Sequence, residues 1–306
     1  MNKAKLIESI NENQELLQDL TQNEFLQNNF LGMLRNIEKI IPEDSRYNFY
    51  TNLKTLRIKF TDEAMLEQQQ GGAYFRNNNE IIIDKKMLNI IGKNLKNDSI
   101  EIDDDFLMIL YHELIHMAST TIDENGGVSG FQNIVKTKEG DLLYSDILEG
   151  MTEGLTEYLT LLAFGKKESE TMTNYDEQIN IIKRLSNIVG LETMKKTFFD
   201  NINGMQDIEE ALEKIDEKKS HVDLYMSIEN NYKYKPGDEL FDEFILSGIN
   251  KRLLTLSQVK ADKSKPIKIE QIEKITQNIK ISDINKEYAI TQSEVQENNK
   301  KGLEEK

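Results

Sequence analysis

The sequence predicts an α+β fold: a small sheet with a hairpin packed on one buried helix, followed by a mostly helical C-terminal half. Three observations predict it. Short β-prone runs cluster between residues 55 and 84. An apolar stretch follows, Phe106 to Ala118, broken only by His112, Glu113 and His116. Beyond it the hydrophobic spacing is helical.

The elements follow in order. Residues 4–40 read as helical, because Leu6, Ile10, Leu16, Leu20, Phe30, Leu34 and Ile37 fall near helical spacing, and Pro42 ends the run. Frequent Asn and Gln make this a covering layer. Leu56, Ile58 and Phe60 alternate with Arg57 and Lys59 and predict a strand. Gly71-Gly72-Ala73-Tyr74-Phe75 and Glu80-Ile81-Ile82-Ile83-Asp84 flank an Asn-rich turn and predict a hairpin. Asp103, Asp104 and Asp105 suit the start of the buried helix, since carboxylates cap a helix N-terminus and complement its dipole. Gly126-Gly127 reads as a flexible turn in a loop from Asp123 to Gly130. A helix spans Asp146 to Gly165, with glycine as its stop, and helical patterns recur over 175–190, 191–200, 206–216 and 238–257. Lys260 to Lys265 reads as a linker before Pro266. Ile269, Ile272, Ile275 and Ile279 suggest a last short helix, and the charged end from Glu294 is expected to be disordered.

Composition narrows the function. The 306 residues carry a net charge of −16, and a duplex-binding surface needs Lys and Arg to neutralise phosphates, so no nucleic acid is expected as partner. An anionic membrane surface is disfavoured likewise. There is neither a signal-peptide run nor a membrane-spanning stretch, so the expectation is a soluble cytoplasmic protein, and a monomer. With no cysteine, any zinc must be held by His and carboxylate.

The chemistry concentrates in His112-Glu113-Leu114-Ile115-His116. Residues i and i+4 share one helix face, so both imidazoles can reach one metal ion. Glu113 stands three before His116 and can reach a water on that metal. A catalytic zinc takes three protein ligands plus water. The third comes from elsewhere, and the candidate is the helix around Leu148-Glu149-Gly150-Met151-Thr152-Glu153-Gly154-Leu155-Thr156-Glu157. Glu149, Glu153 and Glu157 line one face; Met151, Leu155, Leu159 and Leu162 line another. Gly150 and Gly154 predict a close approach to another backbone, with the 106–118 helix as the expected neighbour.

This pattern resembles the thermolysin-like, glutamate-ligated zincin metallopeptidases (gluzincins), and in layout the small cytosolic bacterial minigluzincins. The resemblance covers residues 55–200. It implies Glu153 as third zinc ligand, with Glu149 as the rival, and Glu157 as the carboxylate that orients the first histidine. Thr152 stands where the family has Asn. It implies hydrolysis of a peptide or protein substrate by zinc-activated water, with Glu113 as general base and acid. It also implies donors to the developing oxyanion: Tyr144 and His221 occupy broadly similar places to the family's tyrosine and histidine, and Tyr175 is another candidate. Residues 80–84 could then be the sheet edge that pairs with an extended substrate. The domain layout expected is a helical layer over residues 1–50, a zincin-like domain over 51–258, and a helical or disordered tail over 259–306. Two other readings share the sequence: a catalytically silent zincin fold that binds partners on its edge strand, and a secreted effector protease. In an active protease the N-terminal helices could cover the cleft as an inhibitory segment.

Overall fold

The computed structural model describes residues 3–21, 24–61, 71–84, 104–124, 126–137, 142–144, 148–165, 175–200, 204–215, 221–233 and 239–263. The expected helix over 269–279 and the charged C-terminal end lie outside them.

The N-terminal run forms three helices, α1 (Lys3–Glu12), α2 (Gln14–Thr21) and α3 (Glu24–Ile40). Asn13 makes the first break. Its Oδ1 accepts the Leu16 N–H at 2.9 Å, while its Nδ2 donates to the carbonyls of Leu53 and Leu56, both at 2.8 Å. One buried amide thus caps α2 and ties it to the end of α4 (Arg46–Leu53) and the residues just after it. Leu6, Leu16, Leu34 and Ile37 are fully buried, and α3 packs on both helices that carry the site. This layer is therefore part of the core.

Three strands follow, β1 (Arg57–Thr61), β2 (Gly72–Phe75) and β3 (Glu80–Asp84), in the order β1-β3-β2. The predicted hairpin is present, with β2 antiparallel to β3 and Asn79 left-handed in the turn. β3 is the central strand, however, and β2 the edge. The run Ile81-Ile82-Ile83 is buried on both faces of the sheet, and β1 pairs parallel to it.

The apolar helix α5 spans Asp104–Ala118. After it, the segment read as a flexible glycine turn is a four-stranded antiparallel meander: β4 (Thr120–Ile122), β5 (Gly126–Ser129), β6 (Gln132–Lys136) and β7 (Leu142–Tyr144). Gly127 sits so close to the neighbouring strand that a Cβ there would lie 1.9 Å from the Thr121 carbonyl oxygen. The glycine marks a close strand approach rather than a flexible turn.

Among the described residues that follow, the elements are helices: α6 (Glu149–Phe164), α7 (Asp176–Val189), α8 (Leu191–Asp200), α9 (Gln206–Glu213), α10 (His221–Lys233) and α11 (Glu239–Lys263). The molecule is thus α+β, with sheet strands against α5 and a mostly helical C-terminal half. Lys260–Lys263, read as linker, continue α11. Met1–Ser257 form one compact unit; of a second, Gln258–Lys306, only the end of α11 is described. No helix among the described residues is long and apolar enough to cross a membrane.

Candidate metal centre

α5 and α6 pack side by side and bring three ligating groups together. α5 is apolar almost all round, so it is buried almost all round; Leu110, Leu114, Ile115 and Met117 are fully covered. Its polar residues are covered too: His112 and Glu113 are each 8% exposed and His116 5%. Buried polar groups need partners, and those of the two histidines come from α6.

α6 is positioned by its glycines. A Cβ on Gly150 would lie 2.6 Å from Tyr232 Cβ of α10, and one on Gly154 would lie 2.9 Å from Gln178 Cβ of α7. The close approach read from these glycines exists, but the neighbours are α10 and α7 rather than α5. Leu162, placed on the apolar face by sequence, is 42% exposed, whereas Met151, Leu155 and Leu159 are fully buried. The start of α6 has no cap of its own, because Leu148 at that position has no side-chain acceptor. Glu229 of α10 supplies one: its Oε2 accepts the Gly150 N–H at 3.0 Å, meeting one orphan donor of the first turn. Thr152 turns toward the meander, where its Oγ1 accepts the Phe131 N–H at 3.2 Å.

This packing turns Glu153 and Glu157 toward α5. His112 Nε2 lies 3.1 Å from Glu153 Oε2 and 3.0 Å from His116 Nε2, and His116 Nε2 lies 3.3 Å from Glu153 Oε1. Four atoms bound to a tetrahedral zinc at about 2.0–2.1 Å stand about 3.3 Å apart. Two imidazole nitrogens and a carboxylate at these separations form a group that could hold a metal ion. Glu149, the rival from sequence, is not in that group. On its other side His112 Nδ1 is 2.7 Å from Glu157 Oε2, a contact that leaves the Nε2 lone pair facing the centre when Nδ1 carries the proton. His116 Nδ1 is buried and has no hydrogen-bond partner among the described residues.

The electrostatics of the metal-free cluster fit the same geometry. Burial works against a charge on His112, yet the carboxylates of Glu153 and Glu157 prevail and hold its pKa well above the ordinary 6.5. Burial likewise works against the Glu153 charge, but the two histidines hold its pKa well below 4.5. Glu113 is different. Burial raises its pKa above 4.5, opposed by His112 and His116, and by a hydrogen bond that its carboxylate accepts from the Tyr74 main-chain N–H.

Tyr175, just before α7, stacks on His112 with ring centroids 5.6 Å apart and planes 13° apart. Tyr232 stacks in turn on Tyr175 at 6.5 Å. Burial, then the charge of Glu153, pushes the Tyr175 hydroxyl far above its ordinary pKa, so it remains a donor. Tyr144 closes β7 and His221 opens α10, with side chains outside the described ones. Sequence reasoning missed Tyr232, Glu229 and the Tyr74 amide. Only Gly71-Gly72 hinted at the last. The other two contacts, Tyr232 on Tyr175 and Glu229 on Gly150, join residues 57 and 79 apart in the chain and carry no local signal.

No protein-family model, curated protein or solved structure matches the chain.

Proposed function

We propose that the protein is a zinc-dependent metallopeptidase of the glutamate-ligated zincin type, with His112, His116 and Glu153 as ligands. The observation that carries this reading is the convergence of those three groups at ligand spacing, beside a buried glutamate on the same helix. Two histidines and a carboxylate, with no thiolate in the chain, suit a catalytic zinc, which keeps a fourth position open. A zinc ion held there supplies Lewis acidity toward a carbonyl and lowers the pKa of water to about 7.

The chain's own residues do the rest. Glu157 holds the His112 ring and its tautomer. Glu113 takes a proton from the attacking water and passes it to the leaving amine; its raised pKa brings it closer to the range a base–acid shuttle needs. Tyr175, a neutral phenol on the His112 ring, donates to the oxyanion as the carbonyl becomes tetrahedral. Glu153 binds instead of orienting, and Thr152 serves the fold by anchoring the meander in place of the family's Asn. The edge strand β2, whose Tyr74 touches Glu113, replaces β3 as the strand that an extended substrate would join. All these groups lie in one chain, so a monomer suffices.

The test is zinc content per chain together with cleavage of a peptide library by the protein and by Glu113→Gln. The expected result is about one zinc per chain in both and a rate on the order of 10²- to 10⁴-fold lower in the variant. A variant that cleaves at the parent rate overturns the assignment of Glu113. Full zinc occupancy without cleavage of any peptide overturns the peptidase reading in favour of a binding module.

A further inference from the structure

β2 is an edge strand, and its register decides which of its amides are free to face outward. Asp84 donates its N–H to the Gly71 carbonyl, so residues 71, 73 and 75 exchange bonds with β3. In an antiparallel pair the alternate residues, 72 and 74, then point their main-chain groups away from the ladder. An outward amide on an edge is ordinarily left to water or to another strand. Glu113 of α5 stands against this strand instead: a Cβ on Gly72 would lie 3.5 Å from its Cγ, and the outward Tyr74 N–H is one of the groups that act on its carboxylate.

That meeting depends on two further features. At Gly72 a Cβ would lie 2.7 Å from Ile109 Cγ2 and 3.5 Å from Glu113 Cγ, so only a residue without a Cβ lets α5 lie this close to the strand. The strand itself is pinned at the hairpin turn. The Tyr74 hydroxyl donates to Asn79 Oδ1 at 2.9 Å, and Asn79 Nδ2 donates to the Asn52 carbonyl at 2.7 Å and to Thr55 Oγ1 at 2.8 Å. A chain of contacts therefore runs from the end of α4, through the hairpin turn, to the carboxylate beside the metal ligands.

We propose that the outward main-chain N–H of Tyr74 is the positioning group for the Glu113 carboxylate, and that Gly72 is the residue that permits the approach. The claim rests on the reading of Glu113 as general base. It adds that the edge strand, not α5 alone, aims that base, and that a substrate strand joining β2 must pair at Gly72 while the Tyr74 amide stays with Glu113.

The test has an arm that needs no activity. In the full chain, amide hydrogen exchange of Tyr74 is compared with that of Ala73, whose amide pairs with β3. Tyr74 is expected to be protected in the parent, to exchange at least tenfold faster in Glu113→Ala, and to regain protection in Glu113→Gln, which keeps an acceptor oxygen. Ala73 stays unchanged throughout. A Tyr74 amide that exchanges equally fast in the parent and in Glu113→Ala overturns the proposal. The second arm is kinetic. Gly72→Ala is expected to lower kcat by on the order of 10- to 100-fold, because a small displacement of a catalytic group costs that much. Adding Ile109→Ala removes the closest clash and restores the rate. Unchanged kcat in Gly72→Ala overturns the role of Gly72. A parent protein with a protected Tyr74 amide but no turnover leaves the contact standing and overturns the peptidase reading.

Discussion

His112 is the residue on which both states of the centre turn. Without metal it sits between two carboxylates that keep it protonated well above pH 6.5. To bind a metal through Nε2 it must give up that proton, because only neutral imidazole coordinates. Metal binding is therefore expected to release about one proton at pH 7, and apparent affinity is expected to rise with pH until the raised pKa is passed. Calorimetry in buffers of different ionisation enthalpy measures this; a heat that does not vary with buffer would mean that His112 is already neutral. The sign for folding follows from the same shift. A raised histidine pKa stabilises the metal-free fold fully below 6.5, and that support is lost as pH rises through the higher folded value. Glu153, with a lowered pKa, contributes above 4.5 and loses its contribution as pH falls through its folded value. From this cluster, the metal-free protein is best supported between those two limits.

At the scale of elements, α6 is positioned by what its glycines lack. Gly150→Ala gains about 1 kcal/mol of helix propensity, but its Cβ would press on Tyr232 at 2.6 Å. Overpacking of this kind costs about 1–3 kcal/mol. The variant is therefore expected to be less stable in urea melts and to bind zinc more weakly, as Tyr232 and its stacking partner shift. A variant more stable than the parent would show that the gap tolerates a methyl group. The glycines themselves were legible: two in mid-helix announce a close neighbour. Which neighbour was not, because α7 and α10 approach from later in the chain and nothing local encodes the crossing. The metal ligands of α5 were legible for the opposite reason, since i and i+4 spacing is local geometry. The meander was hidden because Gly126-Gly127 reads as a turn when the partner strand is unknown. β3 was placed at the edge by the resemblance alone, as the last strand of the sheet; three consecutive isoleucines say that both faces are buried but not how many strands flank them.

At the scale of the molecule, the N-terminal helices decide between a removable cover and a structural layer. Leu6, Leu16, Phe30, Leu34 and Ile37 are 0–1% exposed. Each is worth about 1.5–3 kcal/mol of burial, and together they rival the whole net stability of an ordinary domain, about 5–15 kcal/mol. Deletion of residues 1–40 is expected to leave an unfolded or aggregating chain rather than a more active one. Circular dichroism and thermal melting check this; a folded, activated truncation would restore the inhibitory reading. The helical N-terminus was legible from spacing alone. Its depth in the core was not, because the Asn- and Gln-rich surface of the sequence resembles a cover.

The stacked pair of His112 and Tyr175 has an optical consequence. The chain has no tryptophan and 11 tyrosines, so its ultraviolet emission comes from phenols alone. A charged imidazolium lying flat against a phenol drains its excited state, and a neutral ring drains it less. Titrating zinc into the metal-free protein at pH 7 should therefore brighten the emission in step with occupancy, and Tyr175→Phe should flatten that signal. The centre carries its own lamp, and a spectrofluorimeter can follow metal loading without any dye, substrate or label.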